Sequence, residues 1–413
     1  MAQNPYFVDE SRPWFTEEAG WPNEVPKNVE FERRSLGDVL RATAKTHPEI
    51  TAIWFQGVRM SYRELDDAVD RVATGFSNLG LKRGDVVALL LPNSFQYVTC
   101  YYACARLGII VTGCNPTYKP GEILHQLKTV GAKALVVLDI LYKDIVEPKR
   151  SESPVRIYIK TNITDMMKLS AVKRLLGGAL GKIPSAPVPD ALDFRKLLAT
   201  AAAPPKVDVK PEDIATYIMT GGTTGVPKAA VLSHFNCVAN AQQSALWLFK
   251  VKPGSAAVGV LPLFHSFAMT CVMNIGVRMG CTLMLFPKPP EMAELCKTIV
   301  DVTPPEGSMF PGAEILFKKL SEFPDVGQYD LAGKLTLAVS GAGPLHRPVQ
   351  EAFEKITKSR LAEGYGLTES SPVVSAHPFW GNRKIGTIGL PFPAPNGASS
   401  ISPIRPRRSS RAR

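Results

Sequence analysis

The residues best suited to chemistry form a short run rich in glycine and threonine near the middle of the chain. It comprises Thr220-Gly221-Gly222-Thr223-Thr224-Gly225-Val226-Pro227-Lys228 and follows an apolar segment, 214–219, with the pattern of a strand. Its glycines let backbone N–H groups surround an anion because no Cβ is in the way. The threonine hydroxyls add donors, and Lys228 adds a positive charge. The run predicts a loop that binds a polyphosphate; the alternative is a turn that only connects two elements.

Two common phosphate-binding patterns do not fit this run. A Walker A loop ends in Gly-Lys followed by Ser or Thr, whereas here Pro227 precedes the lysine. A dinucleotide-binding fingerprint requires G-x-G-x-x-G at the opening of a helix. We instead expect the loop to lead from a strand into a helix that begins near Asn236.

The run resembles the phosphate-binding loop of the adenylate-forming enzymes, which include acyl-CoA synthetases, luciferases and peptide-synthetase adenylation domains. The usual pattern there is Thr-Ser-Gly-Thr-Thr-Gly-x-Pro-Lys-Gly. This chain has Gly221 in place of the serine and Ala229 in place of the last glycine. The Thr-Gly-Gly-Thr-Thr-Gly-Val form resembles bacterial long-chain fatty-acid–CoA ligases in particular.

A second motif, LAEGYGLTE at 361–369, supports the same resemblance. The ring of Tyr365, between Gly364 and Gly366, can stack on a purine. Thr368 offers a hydroxyl to a phosphate, and Glu369 offers a hard oxygen ligand for Mg2+. Alone, these residues could be a turn that enters a helix. At this distance after the first loop, they resemble the magnesium-binding motif of the superfamily.

Two further segments follow strand-like runs, at positions where open α/β sheets bind ligands. His265 lies in PLFHSF, where the resemblance implies a histidine beside the acyl carboxylate; a lone histidine is otherwise usually packed or solvent-facing. The apolar run 268–277 would then begin the wall of an acyl tunnel. Gly341, Ala342 and Gly343 form a turn of small residues, which the resemblance places against adenine and the acyl carbonyl. The alternative is a tight turn between a strand and a helix.

Strands and helices alternate along the chain, which favours a parallel, doubly wound sheet. We predict helices at 35–47, 62–79, 94–107, 122–130 and 349–355, and strands at 51–55, 58–60, 85–91, 109–112, 134–138, 214–219, 256–263 and 335–339. The resemblance implies an α/β fold, the large domain of an adenylate-forming enzyme. That domain has two doubly wound sheets with flanking helices and an incomplete small β-barrel subdomain.

Composition is ordinary for a soluble globular protein, with 45% apolar and 21% charged residues in 413. The net charge is +11, of which five arginines in the last nine residues supply +5. The mildly basic remainder is compatible with ATP, CoA or an anionic membrane surface, and we expect no specific nucleic-acid partner. For the basic tail, nucleic-acid binding ranks behind a frame change and a genuine short product. Seven scattered cysteines indicate reduced thiols. We expect a cytoplasmic protein, with peripheral contact at the inner face of the membrane and a homodimer as further hypotheses.

We divide the chain into an N-terminal arm (1–34), an AMP-binding large domain (35–393) and a disordered basic tail (394–413). A connector rich in Pro, Ala and Lys, 147–210, is expected on the surface of the large domain, and 167–180 could be a basic surface helix that touches lipid. Family members continue beyond this point into a hinge and a C-terminal domain with a catalytic lysine. The different tail suggests a truncated ligase, through a frame change or as a genuine short product.

The resemblance implies a long-chain fatty-acid–CoA ligase that uses ATP, Mg2+ and CoA. Lys228, His265, Thr368 and Glu369 would be catalytic, with Glu369 as the metal ligand. Residues that would contact the nucleotide are Thr220, Gly221, Gly222, Thr223, Thr224, Gly225, Lys228, Gly341, Ala342, Gly343, Gly364, Tyr365, Gly366 and Thr368. The alternatives are a non-catalytic module that binds AMP or an acyl group, and a ligase for aromatic or medium-chain acids.

Overall fold

The fold is that of a computed structural model, which describes residues 10–169, 180, 183–221 and 227–395. In chain order, the strands of these residues are β1 (Asn28–Val29), β2 (Thr51–Phe55), β3 (Val58–Ser61), β4 (Val86–Leu90), β5 (Ile110–Gly113), β6 (Ala134–Leu138), β7 (Ile157–Thr161), β8 (Leu192–Asp193), β9 (Ile214–Thr220), β10 (Lys228–Ser233), β11 (Ala256–Gly259), β12 (Thr282–Leu285), β13 (Ser308–Gly312), β14 (Leu335–Ser340), β15 (Arg360–Gly366), β16 (Val373–Ala376), β17 (Leu390–Pro391) and β18 (Ala394–Pro395).

The α-helices of the same residues are α1 (Leu36–Thr46), α2 (Tyr62–Asn78), α3 (Phe95–Leu107), α4 (Pro120–Val130), α5 (Asp139–Leu141), α6 (Phe194–Leu198), α7 (His234–Trp247), α8 (Ser266–Ala268), α9 (Ile275–Arg278), α10 (Met292–Val302), α11 (Glu314–Ser321) and α12 (Arg347–Thr357). A π-helical turn, Met269–Asn274, joins α8 to α9, and a second one, Tyr142–Val146, follows α5. Short 3-10 turns are found at Pro13–Phe15, Glu147–Glu152, Val326–Gln328 and Thr368–Ser370.

One sheet has seven strands in the order β10-β9-β5-β4-β6-β7-β8. All its neighbours are parallel except β10, which pairs antiparallel with β9. Every residue of β4 and β6 is buried. Such continuous apolar runs are typical of parallel strands that are covered on both faces.

The other sheet has nine strands in the order β17-β16-β15-β14-β13-β11-β12-β2-β3. Its strands from β15 to β2 are parallel, and antiparallel strands extend it at both edges. The two parallel-rich sheets confirm the predicted α/β fold. The strands β16 and β17 continue this sheet, and the small β-barrel stays a prediction.

The helices α1, α2 and α3 begin and end within one residue of the predicted bounds. Ser35 and Ser61 cap α1 and α2 and form capping boxes with Asp38 and Glu64. Gly108 ends α3 in the left-handed conformation. All residues of α3 except Arg106 are buried, because α1 and α2 pack against it.

Two parts of the sequence interpretation were wrong in their local structure. The loop after β9 leads into the antiparallel strand β10, and α7 begins only after it, at His234. The segment predicted as a surface connector contributes β7, which pairs with β6 over five residues and buries Tyr158 and Ile159. Strand β10, with the sequence KAAVLS, has a weak strand pattern, whereas β7, with the sequence IYIKT, is rich in strand-favouring residues that the composition of the surrounding segment obscured. The suggested basic helix at 167–180 lies largely outside the described residues.

One apolar core connects the two sheets. It contains Val87 and Val111 of the seven-stranded sheet together with Leu283 and Leu337 of the nine-stranded sheet. All seven cysteines are buried without a disulfide. No helix in the described part of the chain is long and apolar enough to cross a membrane.

Candidate functional site

A cavity of about 340 Å³ opens at the carboxyl ends of β11, β14 and β15. Ligands bind at this edge in open parallel sheets because the loops that follow the strands converge there. Seven residues singled out in the sequence line this cavity: His265, Gly341, Ala342, Gly364, Tyr365, Gly366 and Thr368. The tertiary structure therefore brings three separate motifs to one space.

Much of the cavity wall is apolar. Leu248 directly after α7, Met309 of β13 and Phe379 line it. The segment expected to form an acyl tunnel also lines it, through Ala268, Cys271 and Ile275. An apolar chain could therefore lie next to the turns predicted to hold a nucleotide.

His265 is the N-cap residue of α8, is exposed, and lines the cavity. Its backbone N–H donates to the Pro262 carbonyl at 3.1 Å, and its own carbonyl accepts from Met269 N at 2.9 Å. The rings of Phe264 and His265 are 4.4 Å apart. Desolvation by the surrounding protein lowers the pKa of His265 below its ordinary value. The imidazole is therefore neutral near pH 7 and can accept or donate a hydrogen bond.

In the turn of small residues after β14, Gly341 and Ala342 line the cavity. Ala342 has a φ of 65°, which is unusual for a residue with a Cβ. A Cβ on Gly341 would lie 3.0 Å from the ring of Phe267. The absence of a side chain at Gly341 thus keeps this wall of the cavity flat.

The GYGLTE motif forms the end of β15 and the 3-10 turn Thr368–Ser370. A Cβ on Gly366 would lie 2.2 Å from the Pro372 carbonyl oxygen, so only glycine fits there. Tyr365 is 42% exposed, which leaves its ring available to a ligand. The Thr368 hydroxyl lies 3.2 Å from that of Ser266, which links this turn to α8.

The first and last residues of the Thr/Gly run, 220–228, lie on the hairpin of β9 and β10. Thr220 and Lys228 face each other in the register, and the Thr220 hydroxyl donates to the Lys228 carbonyl at 3.2 Å. Gly221 and the Lys228 side chain are exposed, while Gly222, Thr223, Thr224 and Gly225 lie outside the described residues. Strand β10 also lies against the Thr368–Ser370 turn. The lysine's strand and the predicted metal ligand's turn are therefore neighbours.

A magnesium site on Glu369 remains a prediction. Its carboxylate is exposed beside Thr368. Within the described ranges, no three His, Cys, Asp or Glu side chains converge on one point. Mg2+ is often held by one or two carboxylates together with substrate phosphates, and a single exposed glutamate fits that donor set.

Several buried polar residues that hold the site were missed by the sequence analysis. Asn240 of α7 bonds both ways with the Val373 backbone, at 2.7 and 3.0 Å, and Trp247 Nε1 donates to the His377 carbonyl at 3.0 Å. The Glu363 backbone N–H donates to His377 Nδ1 at 3.2 Å. Asn93 bonds the loop before His265. Asn93 stands two residues after a predicted strand, which is the signal that could have drawn attention to it.

Burial shifts the pKa of a carboxyl group directly before the GYGLTE motif. Glu363 precedes Gly364 on β15 and accepts from the Leu345 backbone N–H at 3.3 Å. Desolvation raises the pKa of Glu363, although this hydrogen bond opposes the shift. The group lies between the two turns that line the cavity and connects them.

Comparison with known proteins gives a consistent family assignment. The family model described as AMP-binding enzyme matches residues 40–397. The long-chain-fatty-acid–CoA ligase of Bacillus subtilis (strain 168) is 33% identical over 410 residues, which cover 95% of this chain and 69% of that protein. The chain therefore belongs to the AMP-binding enzyme family, and by family it is an AMP-forming acid–thiol ligase. The predicted resemblance and enzyme class are confirmed.

Solved structures confirm the fold. The crystal structure of the anthranilate CoA ligase AuaEII in complex with anthranoyl-AMP has a TM-score of 0.77 at 21% sequence identity. The match covers 87% of this chain and 65% of that protein's chain. The crystal structure of a long-chain-fatty-acid-CoA ligase from Archaeoglobus fulgidus has a TM-score of 0.73 at 24% sequence identity. This match covers 88% of this chain and 70% of that protein's chain. The chain thus spans about two thirds of the length of these proteins.

Proposed function

We propose that this chain activates a long-chain fatty acid with ATP, as the first step of a fatty-acid–CoA ligase reaction. The observation that carries the proposal is the shared cavity, in which an apolar wall with Leu248 and Ile275 meets the turns at Gly341 and Tyr365. Sequence similarity to long-chain-fatty-acid–CoA ligases over 95% of the chain supports the choice of acid.

In the proposed first step, a carboxylate oxygen attacks the α-phosphorus of ATP and pyrophosphate leaves. His265 orients the carboxylate through a neutral imidazole, and Tyr365 stacks on adenine. The residues of the Thr/Gly loop donate to the β- and γ-phosphates, and Lys228 offsets their negative charge. Mg2+ held by Glu369 would supply further positive charge at the phosphates. The chain contributes position and fixed charge, which is the main requirement of phosphoryl chemistry.

In the proposed second step, the CoA thiol loses its proton and attacks the acyl carbonyl, and AMP leaves. Because the chain spans 69% of the Bacillus subtilis relative, the first step is the sharper test of what these residues do. Contact with a membrane and dimerisation stay hypotheses beside this proposal.

The proposal is tested by ATP–pyrophosphate exchange on the purified chain, with and without palmitate and Mg2+. Exchange that depends on palmitate is the expected result. Benzoate and octanoate are tested in parallel, because preference for either would favour a ligase for aromatic or medium-chain acids. ATP binding without exchange for any acid would contradict catalysis and favour a non-catalytic binding module.

Lys228→Ala and Glu369→Gln are expected to lower the rate of ATP–pyrophosphate exchange on the order of 10²–10³-fold. Each substitution removes one charged group that is held in place before the reaction. Matched controls are Lys297→Ala and Glu351→Gln, whose side chains form exposed i,i+4 ion pairs on α10 and α12. The controls should retain exchange. Equal rates for Lys228→Ala and Lys297→Ala would remove Lys228 from the mechanism.

A further inference from the structure

Asn93 lies where the two sheets meet beside the cavity. It follows β4 of the seven-stranded sheet, and 5% of its surface is exposed. Its side chain bonds the loop after β11 of the other sheet. Asn93 Nδ2 donates to the carbonyls of Gly259 at 3.1 Å and Leu261 at 2.9 Å, and the Leu263 N–H donates to Oδ1 at 2.8 Å. The side-chain amide of Asn93 thus uses its nitrogen as a donor twice and its oxygen as an acceptor once, all within one segment that ends at the loop of His265.

This loop leads directly to His265. Leu263 is bonded to Asn93, and Phe264 packs on Gly113 at the end of β5. A Cβ on Gly113 would lie 2.7 Å from Phe264 Cβ, so the backbone of β5 and this side chain are in close contact. The seven-stranded sheet therefore holds the loop by hydrogen bonds on one side and by packing on the other.

The three hydrogen bonds of Asn93 are not easily replaced by bonds to other groups. The Gly259 carbonyl and the Leu263 N–H are buried, whereas the bond to the Leu261 carbonyl is partly buried beside the cavity, so water reaches the first two groups least easily. The Gly259 carbonyl has a second partner in the Phe286 N–H at 3.2 Å, whereas Asn93 is the partner of Leu261 O and Leu263 N within the described residues. Without Asn93, the loop would have to shift to satisfy these two groups.

We infer that Asn93 is a positioning residue that fixes His265, and through it the acid, in one orientation at the cavity. The inference rests on the proposed function for the role of His265. Asn93 itself does not line the cavity, so it acts through the loop.

The kinetic test combines Asn93→Ala with His265→Ala in a double-mutant cycle. Asn93→Ala alone should lower kcat/KM for the acid on the order of 10²-fold, which is the usual effect of a small displacement of a reacting group. KM for ATP should change little. In the His265→Ala background, the same substitution should have almost no further effect, because its action passes through His265. An equal loss in both backgrounds would overturn the inference.

Gln96→Ala is the matched control. Gln96 is also a buried amide close to β4, but its Nε2 donates to the Asn162 carbonyl at 2.8 Å, away from the loop of His265. Both variants should lose thermal stability to a similar extent. Only Asn93→Ala should lose kcat/KM for the acid, so a general effect on the fold is separated from positioning.

Hydrogen exchange of the peptide 259–265 gives a readout that does not depend on turnover. The Leu263 amide should exchange faster in Asn93→Ala than in the wild type. Its exchange rate should be unchanged in Gln96→Ala. If the wild type shows no acid-dependent ATP–pyrophosphate exchange, the proposed function fails by itself, and hydrogen exchange still decides whether Asn93 holds this loop. Unchanged exchange of this peptide in Asn93→Ala would overturn the inference in either case.

Discussion

At the scale of single residues, burial sets the protonation of histidines that connect elements. His234 is fully buried at the start of α7, and its Nδ1 accepts from the Leu36 backbone N–H at 3.2 Å. Desolvation lowers the pKa of His234 to about 4, although Asp213 and Asp38 oppose the shift. The folded protein therefore binds this proton less readily than the unfolded chain does.

The pKa of His234 predicts an acid-sensitive stability. Its contribution is complete above the unfolded value near 6.5 and is lost as the pH falls towards 4, because only the unfolded chain binds the proton in that window. The free energy of unfolding should fall by about 2 kcal/mol between pH 7.5 and pH 5 through this residue alone. Urea denaturation at both pH values measures it. His234→Asn, which keeps an acceptor for Leu36, should show a smaller fall, and an identical fall would contradict the assignment.

At the scale of elements, the site depends on close contacts between neighbouring strands and turns. Gly366 ends β15, where the Pro372 carbonyl lies too close for any side chain. The hydroxyls of Thr368 and Ser266, and the amide of Asn240 with Val373, then fix the following turn against α8 and α7. The GYGLTE motif is thus held by three separate elements.

Gly366→Ala should therefore disturb both the site and the local fold. The new Cβ would have to displace the Pro372 backbone, and overpacking of this kind usually costs about 1–3 kcal/mol. We expect a lower thermal midpoint and weaker ATP binding, measured by calorimetry. Gly327→Ala is the control, because nothing lies within 4 Å of its added Cβ. Equal midpoints for the two variants would argue against the contact.

The helices α2 and α3 are joined by a buried ion cluster. The Arg106 guanidinium bonds Asp66 and Asp70, and only 7% of its side chain is exposed. Arg41 of α1 also contacts Asp70, at 2.7 Å. Three helices therefore share one set of charges, which is buried at Arg106 and half exposed at Arg41.

Removal of the central charge should be costly. Arg106→Met leaves two carboxylates close together with only the half-exposed Arg41 to compensate them, and loss of one partner of a buried pair typically costs about 3–5 kcal/mol. Arg347→Met removes an exposed i,i+4 pair on α12 and should leave the free energy of unfolding nearly unchanged, because solvent screens this pair. Chemical denaturation of both variants compares them. Similar unfolding free energies would contradict a structural role for the cluster.

At the scale of the whole molecule, the core determines how the protein unfolds. One apolar cluster includes residues of both sheets, of the helices between them and of the N-terminal segment, where Trp21 packs edge-on against Trp247 at 5.2 Å. Trp247 in turn contacts Phe392, which lines the cavity. Each sheet also has a smaller apolar cluster of its own, so the shared cluster is the part of the core that couples the two sheets.

We expect the two sheets to unfold in one transition, although chains of this length often unfold through intermediates. Calorimetry and far-UV circular dichroism should give coincident midpoints. Hydrogen exchange should show β4 and β14, one from each sheet, opening together at the same urea concentration. Separate midpoints for these two strands would show that the shared core does not couple the sheets.

The sequence by itself determined the local features of this protein. Serine caps, glycine stops and apolar periods defined α1, α2 and α3 because such signals act within a few residues. The Thr/Gly run and the GYGLTE motif identified the family for a similar reason, since their chemistry depends on residue type and short spacing. These are the parts of the fold and site that needed no knowledge of distant contacts.

Only the tertiary structure decided which distant residues meet. Strand β10 exists because it pairs with β9, and β7 because it pairs with β6. The cavity arises because β11, β14 and β15 are parallel and end at one edge, and Asn93 reaches the loop of His265 from another sheet, 170 residues away in sequence from its partner Leu263. Strand pairing and buried side-chain bonds of this kind join segments far apart in the chain, so a local pattern could not reveal them.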